Sequence, residues 1–335
     1  MITPITSLEL SHFPVMLDEV INICSPNKGG TFIDCTFGGG NYSKKLLTYS
    51  QTKVIALDRD KYIKQLSKSL EEQYPKRFIF HHKKFSEVDT VVKNQLVDCV
   101  VFDLGLSSIQ LNNLKRGFSF KSQDKLDMTM GLSNTSAEEV LNNLSEQQLK
   151  LIIKIFGEDK DASKIAKNIV IERKNKKITQ VNQLVQIIEK SKRKNYNKIN
   201  PCTKTFQALR IFVNKEISEL IKGLANATKI LKPGGKILIL SFHSLEDKIV
   251  KFFFNNFSLS KAKPSRYFPD INNNISLFNH YKNKIIVPTS QEIIKNPPSR
   301  SAKLRYAIRS NHKYTFPTEL LVKFKSYLDL ESLHE

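Results

Sequence analysis

Apolar and polar positions alternate in two distinct ways along this chain. The first third sets short apolar runs between amphipathic segments. Thr31-Phe-Ile-Asp-Cys-Thr-Phe37 reads as a β-strand that ends in Gly38-Gly39-Gly40, with a helix from about Tyr42 to Thr48 behind it. Lys53-Val-Ile-Ala-Leu-Asp58 predicts a second strand. Lys61 to Glu72 predicts a helix with Ile63, Leu66 and Leu70 on one side. Phe78-Ile-Phe-His81 and Val97-Asp-Cys-Val-Val-Phe-Asp-Leu104 predict a third and a fourth strand. Strands separated by helices imply a parallel sheet with right-handed crossovers.

From about Asn134 to Lys198 the period changes to that of helices, with no convincing strand. Ser136-Ala-Glu-Glu139 and Ser145-Glu-Gln-Gln148 are capping boxes that open helices. Ala162, Ile165, Ala166, Ile169 and Val170 recur at helical spacing, as do Val181, Leu184, Val185 and Ile188. The sheet pattern then returns. One long amphipathic helix is expected from about Thr205 to Leu231, ended by the turn Lys232-Pro-Gly-Gly235. A fifth strand follows at Lys236–His243, then a helix at Leu245–Phe254, an Asn-rich surface loop over 258–285 and an edge strand at Lys303–Arg309. The fold class is therefore α/β, with a parallel-rich central sheet and an inserted all-helical subdomain. The expected domains are 1–112 with 204–335 for the sheet, and 113–203 for the insert.

Composition narrows the function. The chain has 335 residues, 40% of them apolar, enough for a sizeable core. No apolar run reaches the length of a membrane span, and the first residues do not read as a secretory signal. Cys24, Cys35, Cys99 and Cys202 are scattered without a CxxC pair, as expected of reduced packing residues in a cytoplasmic protein. Fifty-three basic residues against 32 acidic ones give a net charge of +21, which favours a polyanionic partner, nucleic acid first. The competing explanation is codon usage in an A/T-rich genome, since Lys, Asn and Ile are all abundant. Basic residues crowd the insert at Arg173, Lys174, Lys176, Lys177, Lys190, Lys192, Arg193, Lys194 and Lys198, either as an RNA clamp or as a solvated helix face.

The chemistry concentrates at strand ends. Glycines after Asp34 let a backbone approach a ligand, and the following helix start points free N–H groups at it. Asp58 ends the next strand, where an acid accepts from ribose hydroxyls. A dinucleotide fingerprint would need a third glycine, and that position holds Ser43. Asp103 ends the fourth strand and opens Asp103-Leu-Gly-Leu-Ser-Ser-Ile-Gln110, where Asp103 and Gln110 can bond a cofactor or a base; a capped turn is the other explanation. His243, at the end of the fifth strand, is either near the target base or a structural residue before the next helix.

Several long motifs carry a resemblance. They are His12-Phe-Pro-Val-Met-Leu-Asp-Glu19, Asp34-Cys-Thr-Phe-Gly-Gly-Gly40, Asp58-Arg-Asp60, Asp103-Leu-Gly-Leu-Ser-Ser108, Arg116-Gly-Phe-Ser-Phe120, Leu126-Asp-Met128, Phe156-Gly-Glu158, Thr205-Phe-Gln-Ala-Leu-Arg210, Ser241-Phe-His-Ser-Leu-Glu-Asp247 and Arg300-Ser-Ala-Lys-Leu-Arg305. Through them the chain resembles the cytosine-N4 methyltransferases of bacterial small-subunit ribosomal RNA, from His12 to about Arg309. The resemblance implies a class I, Rossmann-like methyltransferase that uses S-adenosyl-L-methionine. It implies 16S rRNA of the small ribosomal subunit as partner and a decoding-site cytidine as acceptor, and no obligate protein partner; no membrane is expected and no metal-ligating residues are assigned, with any metal dependence of activity left open. Carried over, the cofactor contacts fall on Gly40, Asn41, Tyr42, Asp58, Phe85, Asp103 and Gln110. His243 is the catalytic candidate. Asn41 and Tyr42 stand where many members have Gly-His, and Thr129 and Pro298 replace basic residues. Arg116, Arg210, Arg300 and Arg305 are candidate phosphate contacts, although each taken singly is better explained as a surface or ion-pairing residue. Two rival functions remain at this point: methylation of DNA or protein, and RNA binding on a fold that has lost catalysis.

Overall fold

The computed structural model describes residues 14–92, 95–192, 200–259, 276–279 and 281–333. His12, Arg193, Lys194, Lys198 and most of the Asn-rich loop lie outside them. The chain divides into two compact units. One holds residues up to 108 together with 222–320; the other holds 109–221 together with 321–335.

The first unit is built on six strands: β1 (Gly30–Asp34), β2 (Thr52–Asp58), β3 (Phe78–His82), β4 (Val97–Asp103), β5 (Leu231–Ser241) and β6 (Lys303–Ile308). Their order is β3-β2-β1-β4-β5-β6. The first five run parallel and β6 closes the edge antiparallel to β5. Parallel strands covered on both faces read as nearly unbroken apolar runs. Phe32 and Ile33, and likewise Val100, Val101 and Phe102, are accordingly buried whichever way they point. One face packs against the helices Leu17–Cys24 and Asn41–Leu47 through Val20, Ile21, Leu46 and Leu47. The sheet reverses its winding between β1 and β4, and open α/β sheets bind ligands at the carboxyl ends of strands beside such a point.

The second unit is helical. Ala137–Asn143, Glu146–Phe156, Ala162–Asn175, Val181–Ser191 and Thr203–Asn214 enclose Ile152, Phe156, Ile165, Ile169, Leu184 and Leu209. Both expected capping boxes form, with Ser136 accepting from the Glu139 N–H and Ser145 from the Gln148 N–H. This unit is wider than 113–203. Thr203–Asn214 belongs to it, and so do the last residues, where the Tyr327 ring meets Phe156 with centroids 6.4 Å apart.

The expected long helix is two helices, Thr203–Asn214 and Glu216–Ile230. Lys215 breaks it with a left-handed backbone (φ 50°). Neighbouring side chains fix the break. Buried Asn214 donates to the carbonyls of Met128 and Arg210, and accepts from the Met130 N–H and the Ser133 hydroxyl, all at 2.8–2.9 Å. Arg210 forks onto Glu216 with two 2.8 Å bonds. The new helix start is capped from the far end of the chain, because Glu331 accepts from the N–H groups of Ile217 and Ser218, each at 2.8 Å. At the other end, Ile230 passes directly into β5. Leu231 already pairs with Val97, and Lys232–Gly235 bulge out before pairing resumes at Lys236 with Cys99.

Two outcomes are expected. Asn214→Ala strands several buried backbone groups and lowers unfolding free energy by about 2–4 kcal/mol in denaturant titrations. Burial raises the Glu331 carboxyl to about 7, above its ordinary 4.5. The folded protein then holds a proton there that the unfolded chain releases. That contribution is complete below about pH 4.5 and disappears as pH rises through about 7. Melting curves between pH 5 and 8 should therefore fall less steeply for Glu331→Gln than for the wild type, the difference amounting to at most about 3 kcal/mol.

Candidate functional site

The carboxyl ends of β1, β2 and β4 converge on one turn. Asp34, with no exposed surface, ends β1. Its carboxylate accepts from the Ser43 hydroxyl (2.7 Å) and the Thr36 N–H (3.3 Å). The turn beyond is stitched to both flanking strands, Cys35 N–H to the Val101 carbonyl and Phe37 N–H to the Leu57 carbonyl. Gly38 (φ 48°) and Gly40 (φ 72°) have left-handed backbones, and a Cβ on Gly40 would sit 2.7 Å from the Phe37 ring. Gly40 precedes the helix Asn41–Leu47, in which Tyr42 is buried and Asn41 half-buried. The glycines are thus demanded by the backbone path as well as by any ligand.

Asp58, at the tip of β2, accepts from the Gly38 N–H and the Asp60 N–H, both at 2.8 Å. Each oxygen keeps a further lone pair, so two hydroxyls of a ribose can still be accepted. Burial pushes both Asp34 and Asp58 up to about 6. Phe85, just past β3, lies edge-on to Phe102 with centroids 5.5 Å apart. It is held there by a residue the sequence did not single out: a Cβ on Gly223 would come within 2.7 Å of the Phe85 ring. The turn Phe85–Thr90 is fastened to the same helix by Asn226, donating to the Ser86 carbonyl, and by Lys229 on Asp89. A glycine inside an otherwise amphipathic helix was the available signal for this slot.

Asp103 ends β4. Its N–H donates to the Thr36 hydroxyl at 2.7 Å, and the Tyr42 hydroxyl lies against its carboxyl. Its Oδ1 is buried and has no hydrogen-bond partner among the described residues. Burial, then the charges of Asp34 and Glu246, raise this carboxyl to about 8. His243 caps the helix Ser244–Asn256. Its Nδ1 accepts from the Glu246 N–H at 3.5 Å and its Nε2 lies 3.1 Å from Glu246 Oε1. The imidazole caps its own helix through Nδ1, while Nε2 is buried with no hydrogen-bond partner among the described residues. Gln110 is buried in the short helix Ser108–Asn112, in the second unit.

In the first unit these residues suit an adenosylmethionine. Asp58 can take the ribose, Phe85 offers an aromatic face to the adenine, and Gly38 to Tyr42 give backbone access. The unpartnered Asp103 oxygen, in a neighbourhood of carboxylates, calls for a cation or a donor.

Three of the four candidate arginines are engaged within the fold, two of them in ion pairs. Arg305 is 2% exposed and binds Asp247 at 2.7 Å, Tyr281 and Asn283. Arg116 is buried over the Phe118 ring and donates to the Thr129 carbonyl. Arg210 holds Glu216. Arg300 is exposed. In the expected clamp, Lys192 is an anchor bonded to Asp159 at 2.6 Å, whereas Lys174, Lys176, Lys177 and Lys190 are exposed. All four cysteines are free and buried, and the sulfurs of Cys24 and Cys99 are 3.3 Å apart, which spacing along the chain did not foretell. No helix among the described residues is long and apolar enough to cross a membrane.

Comparison with known proteins identifies the family. Residues 9–310 match the model of the MraW methylase family. The chain is 42% identical over 309 residues to the ribosomal RNA small subunit methyltransferase H of Orientia tsutsugamushi (strain Ikeda), covering 90% of this chain and 98% of that one. It is 41% identical over 304 residues to the protein of the same name from Ehrlichia canis (strain Jake), covering 89% and 99%. Among solved structures, an rRNA methylase from Streptococcus thermophilus aligns with a TM-score of 0.40 at 9% identity, over 87% of this chain and 96% of that one. With a match that spans almost every described strand and helix, the chain belongs to the MraW methylase family, the S-adenosylmethionine-dependent methyltransferases.

Proposed function

We propose that this chain methylates 16S rRNA of the small ribosomal subunit, at the N4 amine of a decoding-site cytidine, with S-adenosyl-L-methionine as donor. The observation that carries the reading is the near full-length match to relatives named as small-subunit ribosomal RNA methyltransferases. The motifs shared with the cytosine-N4 enzymes, Asp103-Leu-Gly-Leu-Ser-Ser108 above all, support the finer assignment.

The chemistry asks for positioning. A cytosine amine delocalises its lone pair into the ring and is a poor nucleophile, while a sulfonium methyl is already electrophilic. Holding nitrogen, carbon and sulfur in line removes most of the entropic barrier. In this reading Asp58 orients the ribose, Phe85 and Gly223 fix the adenine, and Asp103 stands where the amine must shed a proton. The target base has to leave its stack, which looped RNA permits at least cost. The helical unit, with its exposed Lys174, Lys176, Lys177 and Lys190, is assigned to holding the RNA backbone.

Mapping methylated cytidines in small-subunit rRNA from cells with and without this protein tests the assignment. A single N4-methylated cytidine should vanish in its absence. If every cytidine stays modified, the acceptor is something else. Gly223→Val should push the Phe85 ring out of its slot and weaken adenosylmethionine binding by about 5- to 100-fold, the worth of one lost base–aromatic stack. Calorimetry on a variant shown to be folded by its melting curve reads this directly, and unchanged affinity would remove Phe85 from the adenine site.

A further inference from the structure

We propose that Asp103 is the proton acceptor of the methyl-transfer step, with its unpartnered Oδ1 as the accepting atom. The inference deepens the reading above and rests on it.

A buried carboxylate oxygen without a donor is expensive, and such an orphan in a folded protein asks for an explanation. The rest of Asp103 is firmly placed. Its N–H is fixed by Thr36. From β1 it faces Asp34, from the helix Asn41–Leu47 it faces Tyr42, and from the helix Ser244–Asn256 it feels Glu246, beside which His243 sits. The charges that act on it are negative, those of Asp34 and Glu246. Glu246 is itself held away from solvent, accepting from the Phe242 N–H at 2.8 Å. Burial first, and then the two facing carboxylates, disfavour its ionisation and raise it to about 8 against the lowering contact of Tyr42, so at neutral pH the free protein favours Asp103 protonated.

A cation reverses that balance. A sulfonium bound at these strand tips favours the carboxylate, and Asp103 then gives up its proton to solvent before reaction. In the reaction the amine nitrogen forms a bond to the methyl carbon while the carbon–sulfur bond breaks with its electron pair going to sulfur. One N–H proton of the resulting ammonium passes to Asp103 Oδ1, which leaves a neutral methylated amine and a neutral carboxyl. Asp103 ends as it began, once the positive charge has gone.

The proposal is tested by counting protons. The wild-type protein is titrated at pH 7 with S-adenosylmethionine, and separately with S-adenosylhomocysteine, in phosphate and in Tris. The dependence of binding heat on buffer ionisation gives the protons released. The two ligands share their amino-acid moiety and differ in the sulfonium charge. We expect adenosylmethionine to release a large fraction of one proton more than the thioether does. Asp103→Asn should abolish that difference while still binding adenosylmethionine, and should slow single-turnover methylation about 100-fold or more. Glu246→Gln, which removes one facing charge, should shrink the release and move the alkaline-rising limb of the rate profile to lower pH. Equal release for both ligands in the wild type overturns the proposal without any variant. So does near-normal turnover by folded Asp103→Asn. Failure of the wild type to bind adenosylmethionine at all overturns the cofactor reading itself, and the proposal with it.

Discussion

A carboxylate shut away from water at the end of β1 sets the geometry on which the site depends. Asp34 cannot be solvated, so its oxygens must be met by protein donors, and the chain beyond β1 is bent to supply them from Thr36 and Ser43. Once the chain is bent, two further acids are tied in. The Thr36 hydroxyl becomes available to the Asp103 N–H, and the Gly38 N–H is delivered to Asp58. Three strand tips are thereby joined through one turn of the backbone. Loss of Asp34 would accordingly be felt at Asp58 and Asp103, neither of which it needs to touch.

The sheet was readable because parallel strands are buried on both sides and so spell themselves as apolar runs, as Lys53–Asp58 and Val97–Leu104 do. The acids at their ends were readable for the same reason: a charged residue closing an apolar run marks the tip. The capping boxes at Ser136 and Ser145 were local and formed as written. What stayed hidden depends on partners far away in the chain. Lys215 carries no mark of a left-handed residue; the break is imposed by Asn214 bonding to Met128 and Met130, and by Glu331 capping Ile217. Gly223 was not singled out in the sequence, and the Phe85 ring packed against it explains the glycine. The orphaned oxygen of Asp103 is likewise a fact of tertiary packing, whereas the pairing of His243 with Glu246 is a local helix cap.

The same distinction separates the two halves of the functional assignment. The residues proposed for the cofactor sit where backbone geometry dictates, so position within the motif sufficed to place Gly40, Asp58 and Asp103 at the strand tips. Residues that would meet RNA are dictated by surface, and sequence cannot tell a surface arginine from an internal strut. Arg305 illustrates this: it stands in a basic, motif-rich segment and is nonetheless the clasp between β6 and Asp247.

That division of labour between the two kinds of basic side chain has a wider meaning. Arg77, Arg116, Arg210, Arg305 and Arg309 all spend their planar forks on carbonyls or carboxylates of their own fold. Among the described residues of the helical unit, Lys174, Lys176 and Lys177 are positive charges that face outward. An ammonium on a flexible stem attracts a polyanion without reading its shape. A surface of this kind would attract a polyanion from about one Debye length and let it slide; in the proposed reading the choice of nucleotide then falls to the one that can be turned out of its stack.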